Sequence, residues 1–98
     1  KEGVKMRTKS VAVECAERGY GIKVNWSSPG VIQTQMLEKV SGQVEEGEAL
    51  MDSYKAMHPS GRIGETKDVA AMAVFLAGEE ASFITGADFT VDGALSIN

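Results

Sequence analysis

A proline and a glycine stand together where an extended segment breaks, and a threonine closes the stretch: Ile22-Lys23-Val24-Asn25-Trp26-Ser27-Ser28-Pro29-Gly30-Val31-Ile32-Gln33-Thr34. Ile22, Val24 and Trp26 share one side by the two-residue period of a strand, which places that strand over Ile22–Trp26. Proline has no N–H and a fixed φ, while glycine tolerates positive φ and lets another molecule approach the main chain. In an open parallel sheet, ligands bind in the crevice outside the carboxyl ends of the strands. Pro29 and Gly30 therefore read as a ligand loop, with the backbone N–H of Ile32 left for a ligand and the hydroxyl of Thr34 as a further donor. An ordinary strand-to-loop turn is the alternative that spacing alone leaves open.

Other residues with chemical potential take plainer readings. Tyr20 and Tyr54 are the only tyrosines, and neither has a lysine four residues later; Tyr20 is expected beside a helix end and Tyr54 in a helical lid. His58 is the single histidine, stands before Pro59 without an acid partner, and reads as a loop residue rather than a base. Cys15 reads as an inert core thiol, and Asp88 and Asp92 as residues that shape the last strand and its turn, since two carboxylates alone make a poor metal site.

The elements that must position the loop follow from periodicity. Residues 1–18 read as a helix whose stripe is Val4, Thr8, Val11, Ala12 and Cys15, with Lys5 off the stripe and Gly19 as its left-handed stop. From about 35 to 58 the pattern gives two short helices with a Gly-containing break, a connection long enough to be a substrate lid, in which Met36, Leu37, Leu50, Met51 and Tyr54 form the apolar surface. Pro59 to Gly64 is a loop by composition. A helix from Thr66 to about Gly78 carries Val69, Met72, Ala73 and Leu76 on one face, capped near Thr66, with Asp68 in its first turn. A turn of helix at Ala81–Phe83 and a final strand Asp88–Gly93 complete the order. Helix, strand, lid, helix and strand fit a right-handed parallel α/β sheet. Two strands leave both sheet edges open, so the pattern predicts a sheet that continues in residues outside this sequence.

Composition narrows the function classes. With 14 acidic and 10 basic residues the net charge is −4, and no basic run points to a nucleic-acid partner. One cysteine and no Cys/His cluster give no disulfide and no metal as the expectation, in a reducing compartment. No apolar run approaches the ~20 residues of a membrane span, and a cytoplasmic location is expected.

Taken in order, Lys1-x-Gly3-Val4, Thr8-Lys9, Ile22-x-Val24-Asn25, Pro29-Gly30-x-Ile32-x-Thr34, Gly61-Arg62-x-Gly64, Asp68-Val69-Ala70, Phe75-Leu76-Ala77, Ser82-x-Ile84-Thr85-Gly86 and Val91-Asp92-Gly93 resemble the C-terminal part of the short-chain dehydrogenase/reductase family. The resemblance covers almost the whole chain. It implies that residues 1–98 are the C-terminal part of a single Rossmann-type domain, a doubly wound parallel sheet in three α/β/α layers, with the N-terminal nucleotide-binding half elsewhere. It also implies hydride transfer between a nicotinamide cofactor, NAD or NADP with NAD slightly favoured, and a secondary alcohol or ketone. In that chemistry a lysine one helical turn after a tyrosine lowers the phenol pKa and binds the nicotinamide ribose; Lys1 falls at the lysine position, and the tyrosine would precede the chain. By the same resemblance, Pro29, Gly30 and Ile32 cradle the carboxamide and Thr34 donates near carboxamide or pyrophosphate. The apolar lid leans toward an alicyclic or steroid-like substrate, with 3-oxoacyl thioester reduction or a non-catalytic binding module as the alternatives. Homotetramers or homodimers are implied, with Thr8, Ala12 and Cys15 and the tail Phe89, Val91, Leu95 and Ile97 as contact surfaces. Three departures stand out: Trp26 where a small residue is usual, Gln35 where proline often follows the threonine, and Ala94 where a second glycine often follows Val-Asp-Gly.

Overall fold

The computed structural model describes residues 2–43 and 45–97. Along the chain run α1 (Glu2–Glu17), β1 (Trp26–Pro29), β2 (Ile32–Gln33), α2 (Gln35–Gln43), α3 (Gly47–Met57), β3 (Gly64–Glu65), α4 (Thr66–Ala77) and β4 (Asp88–Val91), with 3₁₀ turns at Glu79–Ala81 and Leu95–Ile97. β1 pairs with β4, and β2 pairs with β3 in parallel. Contacts divide the chain into two compact units: the residues through Ser28 with Met72–Thr90, and Pro29–Ala71 with the residues from Val91 onward.

In the first unit the small-residue face of α1 turns inward. Ala12 is 2% and Cys15 8% exposed, and Gly86 admits the helix so closely that a Cβ there would lie 3.5 Å from that of Ala12. The inward face is Lys5, Thr8, Ala12 and Cys15, while Val4 and Val11 are largely exposed. Lys5 therefore belongs to the covered side, contrary to the apolar stripe drawn from the sequence, because its ammonium meets Asp88 at 3.3 Å. Gly19 closes α1 with φ +66°, its N–H on Ala16 O and the N–H of Tyr20 on Cys15 O, the paired bonds of a Schellman stop. Tyr20 itself is exposed rather than packed, with Arg18 donating to its hydroxyl at 3.4 Å.

The strand expected at Ile22–Trp26 lies further along, at Trp26–Pro29. Before it, side chains supplement the main-chain bond from Gly86 N–H to Val24 O at 2.7 Å. Val24 donates its N–H to Thr85 Oγ1, the Asn25 amide donates to Ile84 O, and Ala87 N–H donates to Asn25 Oδ1. From Trp26 the main chain takes over, with the Trp26 N–H on Ala87 O at 2.9 Å.

Lys23 anchors the end of α4. Its ammonium donates to the carbonyls of Leu76, Gly78 and Ala81 at 2.9, 3.2 and 3.2 Å, which satisfies acceptors that a helix end leaves without partners and places a cation at the negative end of the helix dipole. Lys23→Met keeps the stem and removes all three bonds. It is expected to cost about 2 kcal/mol of unfolding free energy, read as a lower denaturation midpoint in urea; an unchanged midpoint would mean that water serves those carbonyls equally well.

In the second unit, Ile32 and Gln33 pair with Gly64 and Glu65, so part of the segment read as loop is a short parallel ladder. Gly64 lies close under the Ile32 side chain, so that a Cβ there would come within 2.6 Å of Ile32 Cδ1 and displace that methyl. The start of α4 is capped from within: Asp68 accepts the N–H of Glu65 at 2.7 Å and is gripped by Arg62 at 2.9 Å. The cap thus sits at Glu65, one residue before Thr66. Arg62 and this N–H hold the Asp68 carboxyl below the usual carboxylate range. The helical turn after α4 is likewise earlier than the sequence pattern places it, at Glu79–Ala81.

β4 ends at Asp92, whose two oxygens accept the N–H groups of Ala94 and Ser96 and wind the tail into its 3₁₀ turn. Ser96 and these main-chain donors hold the Asp92 carboxyl below its ordinary range. Gly93 has φ +56° and Ala94 φ +73°. The second value explains why glycine suits that position: a Cβ in the left-handed region is strained. Ala94→Gly is expected to raise stability by about 0.5–1 kcal/mol, the relieved strain less the extra freedom of glycine in the unfolded chain, measured as a higher melting temperature.

Candidate functional site

Strand β1 delivers Pro29 and Gly30 at its carboxyl end, and Gly30 N–H donates to Val91 O at 3.0 Å, so the loop begins as the ladder finishes. One face of Gly30 is occupied by the protein. A Cβ there would lie 2.9 Å from His58 Nε2, 2.9 Å from Asp92 Cβ and 3.0 Å from Asp92 Cα. On that face the glycine is demanded by packing against His58 and Asp92.

The next residues present donors. Gly64 N–H donates to Val31 O at 2.8 Å, and in the parallel register Ile32↔Gly64 the ladder uses the residues flanking Ile32, so the N–H of Ile32 is turned to the opposite edge. Thr34 Oγ1 accepts the N–H of Leu37 at 3.2 Å and its carbonyl accepts that of Glu38, which makes Thr34 the N-cap of α2. The oxygen is committed to the helix, and the hydroxyl proton stays available to a ligand.

Helices α2 and α3 make up the segment that the sequence pattern reads as a lid. Leu37, Leu50, Met51 and Tyr54 are half-buried, whereas Met36 is 76% exposed. A cavity of ≈ 580 Å³ between the two helices is lined by Met51 together with Glu38, Ser41, Asp52 and Lys55, so of the five residues named from the sequence only Met51 faces it. A smaller cavity of ≈ 200 Å³ beside the loop is polar, with Val31, His58, Ser60, Arg62, Asp68 and Asp92 among its walls. Among the described residues, no group of three His, Cys, Asp or Glu side chains could hold a metal ion, and no helix is long and apolar enough to cross a membrane.

His58 is the residue the sequence reading passed over. It is 3% exposed, with Nδ1 2.7 Å from Tyr54 O and Nε2 3.2 Å from Val31 N. Its partners are main-chain atoms, which no side-chain pattern reports. Trp26 faces a cavity of ≈ 370 Å³ shared with Met72, Ala73 and Leu76 of α4, and its Nε1 donates to Ser28 Oγ. Lys1 lies outside the described residues.

These features suit a nicotinamide dinucleotide. An outward main-chain N–H at Ile32 and the hydroxyl proton of Thr34, set at the carboxyl end of a parallel strand, are donors for a carboxamide or pyrophosphate oxygen.

Comparison with known proteins agrees. A family model described as enoyl-(acyl carrier protein) reductase matches residues 1–96. The NADP-dependent (R)-specific alcohol dehydrogenase of Lentilactobacillus kefiri is 40% identical over 95% of this chain and 35% of its own length. The cyclohexanol dehydrogenase of an Acinetobacter species is 38% identical over 96% of this chain and 33% of its own. The ligand-free structure of Thermoplasma acidophilum aldohexose dehydrogenase superposes with a TM-score of 0.85 at 35% identity, covering 99% of this chain and 39% of that one. The chain thus spans about a third of the length of the relatives it matches.

Proposed function

Because the chain belongs to the short-chain dehydrogenase/reductase family, and so carries the C-terminal part of a Rossmann-type α/β domain, we propose that the protein interconverts a secondary alcohol and a ketone with NAD or NADP. The observation that carries this reading is the Pro29–Thr34 segment, where strand end, glycine, outward N–H and capping threonine occur together in a chain matched by the family model over residues 1–96. The bound nicotinamide would accept or supply the hydride at the carbinol carbon. Lys1 would sit beside the tyrosine that exchanges the hydroxyl proton, Ile32 and Thr34 would hold the carboxamide side of the cofactor, and α2 and α3 would cover the substrate.

An alicyclic or steroid-like substrate is the favoured class, supported by the half-buried Leu37, Leu50, Met51 and Tyr54 of the lid and by the relative that acts on cyclohexanol. A thioester-linked 3-oxoacyl chain is the competing substrate class, supported by the relative from Haemophilus influenzae described as a 3-oxoacyl-[acyl-carrier-protein] reductase. The lean toward NAD draws no support from the relative named for its cofactor, which is NADP-dependent. Assembly as a homotetramer or homodimer in the cytoplasm belongs to the same proposal. The exposed Ile97 and Phe83 are apolar surface of the kind that meets a partner, while Ala12 and Cys15 are already covered within their own unit.

The test is fluorescence titration of the full-length protein with NADH and NADPH, followed by turnover on cyclic and acyclic secondary alcohols and a 3-oxoacyl thioester. Saturable binding of either cofactor with turnover of the cyclic alcohols supports the reading; thioester reduction alone would replace the substrate class; a folded protein that binds neither cofactor would leave a family fold used as a binding module.

A further inference from the structure

The buried imidazole of His58 is bound at both nitrogens, and its partners fix its state. Val31 donates its N–H toward Nε2, so Nε2 carries a lone pair. Nδ1 lies 2.7 Å from the carbonyl oxygen of Tyr54, which can only accept, so Nδ1 carries the proton. One neutral tautomer satisfies both contacts. The ring ends the lid and begins the loop at once. His58 stands at the carboxyl end of α3, where Tyr54 O is among the carbonyls a helix end leaves without a partner, and Val31 directly follows Gly30. Gly30 makes the contact possible, because any Cβ there would sit 2.9 Å from Nε2.

We infer that His58 is a positioning residue for the nicotinamide-binding loop: by holding the Val31 N–H it fixes the peptide plane ahead of Ile32 and ties that loop to the last turn of the lid. The inference rests on the proposed oxidoreductase reading, since it assigns His58 to the donors that reading gives the cofactor. The Gly30–Val31 peptide is held on one side by imidazole, and the Val31 carbonyl is held on the other by Gly64 N–H at 2.8 Å. With both groups of Val31 occupied, the N–H of Ile32 keeps a single aim before any ligand arrives. Preorganised donors lose less freedom on binding than donors that must be ordered by the ligand. Its role is in binding rather than in the chemical step.

Two substitutions separate the two ends of the ring. Asn places an amide near Nδ1 and keeps a donor for Tyr54 O; Gln reaches the position of Nε2 and keeps an acceptor for the Val31 N–H. The full-length protein and both variants are titrated with the dinucleotide that the parent binds and with ADP-ribose or its 2′-phosphate, which lack the nicotinamide, and thermal melting checks that each is folded. H58N is expected to bind the dinucleotide about tenfold more weakly, the loss of roughly one hydrogen bond, with affinity for the nicotinamide-free ligand unchanged. H58Q is expected to stay within about threefold of the parent for both ligands.

Dinucleotide affinity in folded H58N equal to the parent's, or a parallel loss for both ligands, would overturn the inference and leave His58 a packing residue. Should H58N fail to fold, H58Q decides alone: retained dinucleotide binding supports the loop contact, and loss of it overturns it. A parent protein that binds neither dinucleotide overturns the oxidoreductase reading and this inference with it, whereas parent binding that H58N leaves intact overturns only the inference.

Discussion

Gly30→Ala is expected to destabilise the protein by about 2–3 kcal/mol and to cost it most of its dinucleotide affinity. The added methyl would stand 2.9 Å from His58 Nε2, 2.9 Å from Asp92 Cβ and 3.0 Å from Asp92 Cα, so one neighbour must shift, and neither is the free end of a flexible side chain. Overpacking of this kind costs about 1–3 kcal/mol by itself. Each way out damages something further. If the imidazole swings away, the Val31 N–H and Tyr54 O lose their partner in a region where His58 is 3% exposed. If Asp92 moves, the N–H groups of Ala94 and Ser96 lose theirs and the tail turn loosens. If Gly30 itself retreats, its bond to Val91 O is stretched and β1 parts from the end of β4. Gly42→Ala is the control, because a Cβ at that helical position meets nothing within 4 Å and should be neutral or stabilising by up to about 1 kcal/mol. Thermal melting and cofactor titration of the two variants check the result; a Gly30→Ala protein as stable as the Gly42→Ala one would mean that the loop relaxes freely and that Gly30 is a convenience of the backbone.

The glycine shows how far sequence reasoning reaches into this molecule. Pro-Gly after an alternating segment was enough to place a strand end and a loop, and the apolar spacing of Val69, Met72 and Leu76 was enough to place α4, because both signals are local and depend on periods of two and 3.6 residues. The two helices α2 and α3 were legible for the same reason. What stayed hidden depends on partners distant along the chain. Asn25 and Thr85 supplement the main chain with side-chain bonds before the assigned strand, which lies toward Pro29. Lys23 holds three carbonyls at and beyond the α4 end, a contact that spans more than fifty residues of sequence. His58 lacked an acid partner and so looked idle, since its ligands are a main-chain N–H and a main-chain carbonyl. Ala94 lay between these cases: its departure from a second glycine was visible in the sequence, and its meaning came with the positive φ. The donors of Ile32 and Thr34 were named from type and order alone, but that Thr34 also caps α2, and so binds the lid's start to the same loop, needed coordinates.

Lys1→Ala is expected to lower kcat of the full-length enzyme by about 10²–10⁴-fold, the range that positioned proton transfer contributes. The expectation comes from the family resemblance: Lys1 precedes Gly3 and Val4, and a tyrosine four residues earlier in the full-length protein would stand at the i, i+4 spacing from it. An ammonium beside a phenol favours the phenolate, so the lysine lowers the phenol pKa. Removing it raises that pKa. Alcohol oxidation needs the phenolate to take the hydroxyl proton, so the rising limb of its pH–rate profile should move to higher pH in Lys1→Ala, and raising pH should recover part of the lost rate. Lys1→Arg keeps the charge while changing the donor geometry toward the ribose. It should therefore hold the pH limb near that of the parent while the KM for cofactor rises. The split between the two variants assigns the lysine's electrostatic and binding roles separately. A Lys1→Ala enzyme with kcat within about threefold of the parent and an unmoved pH limb would show that the register is wrong and that proton exchange rests on another group.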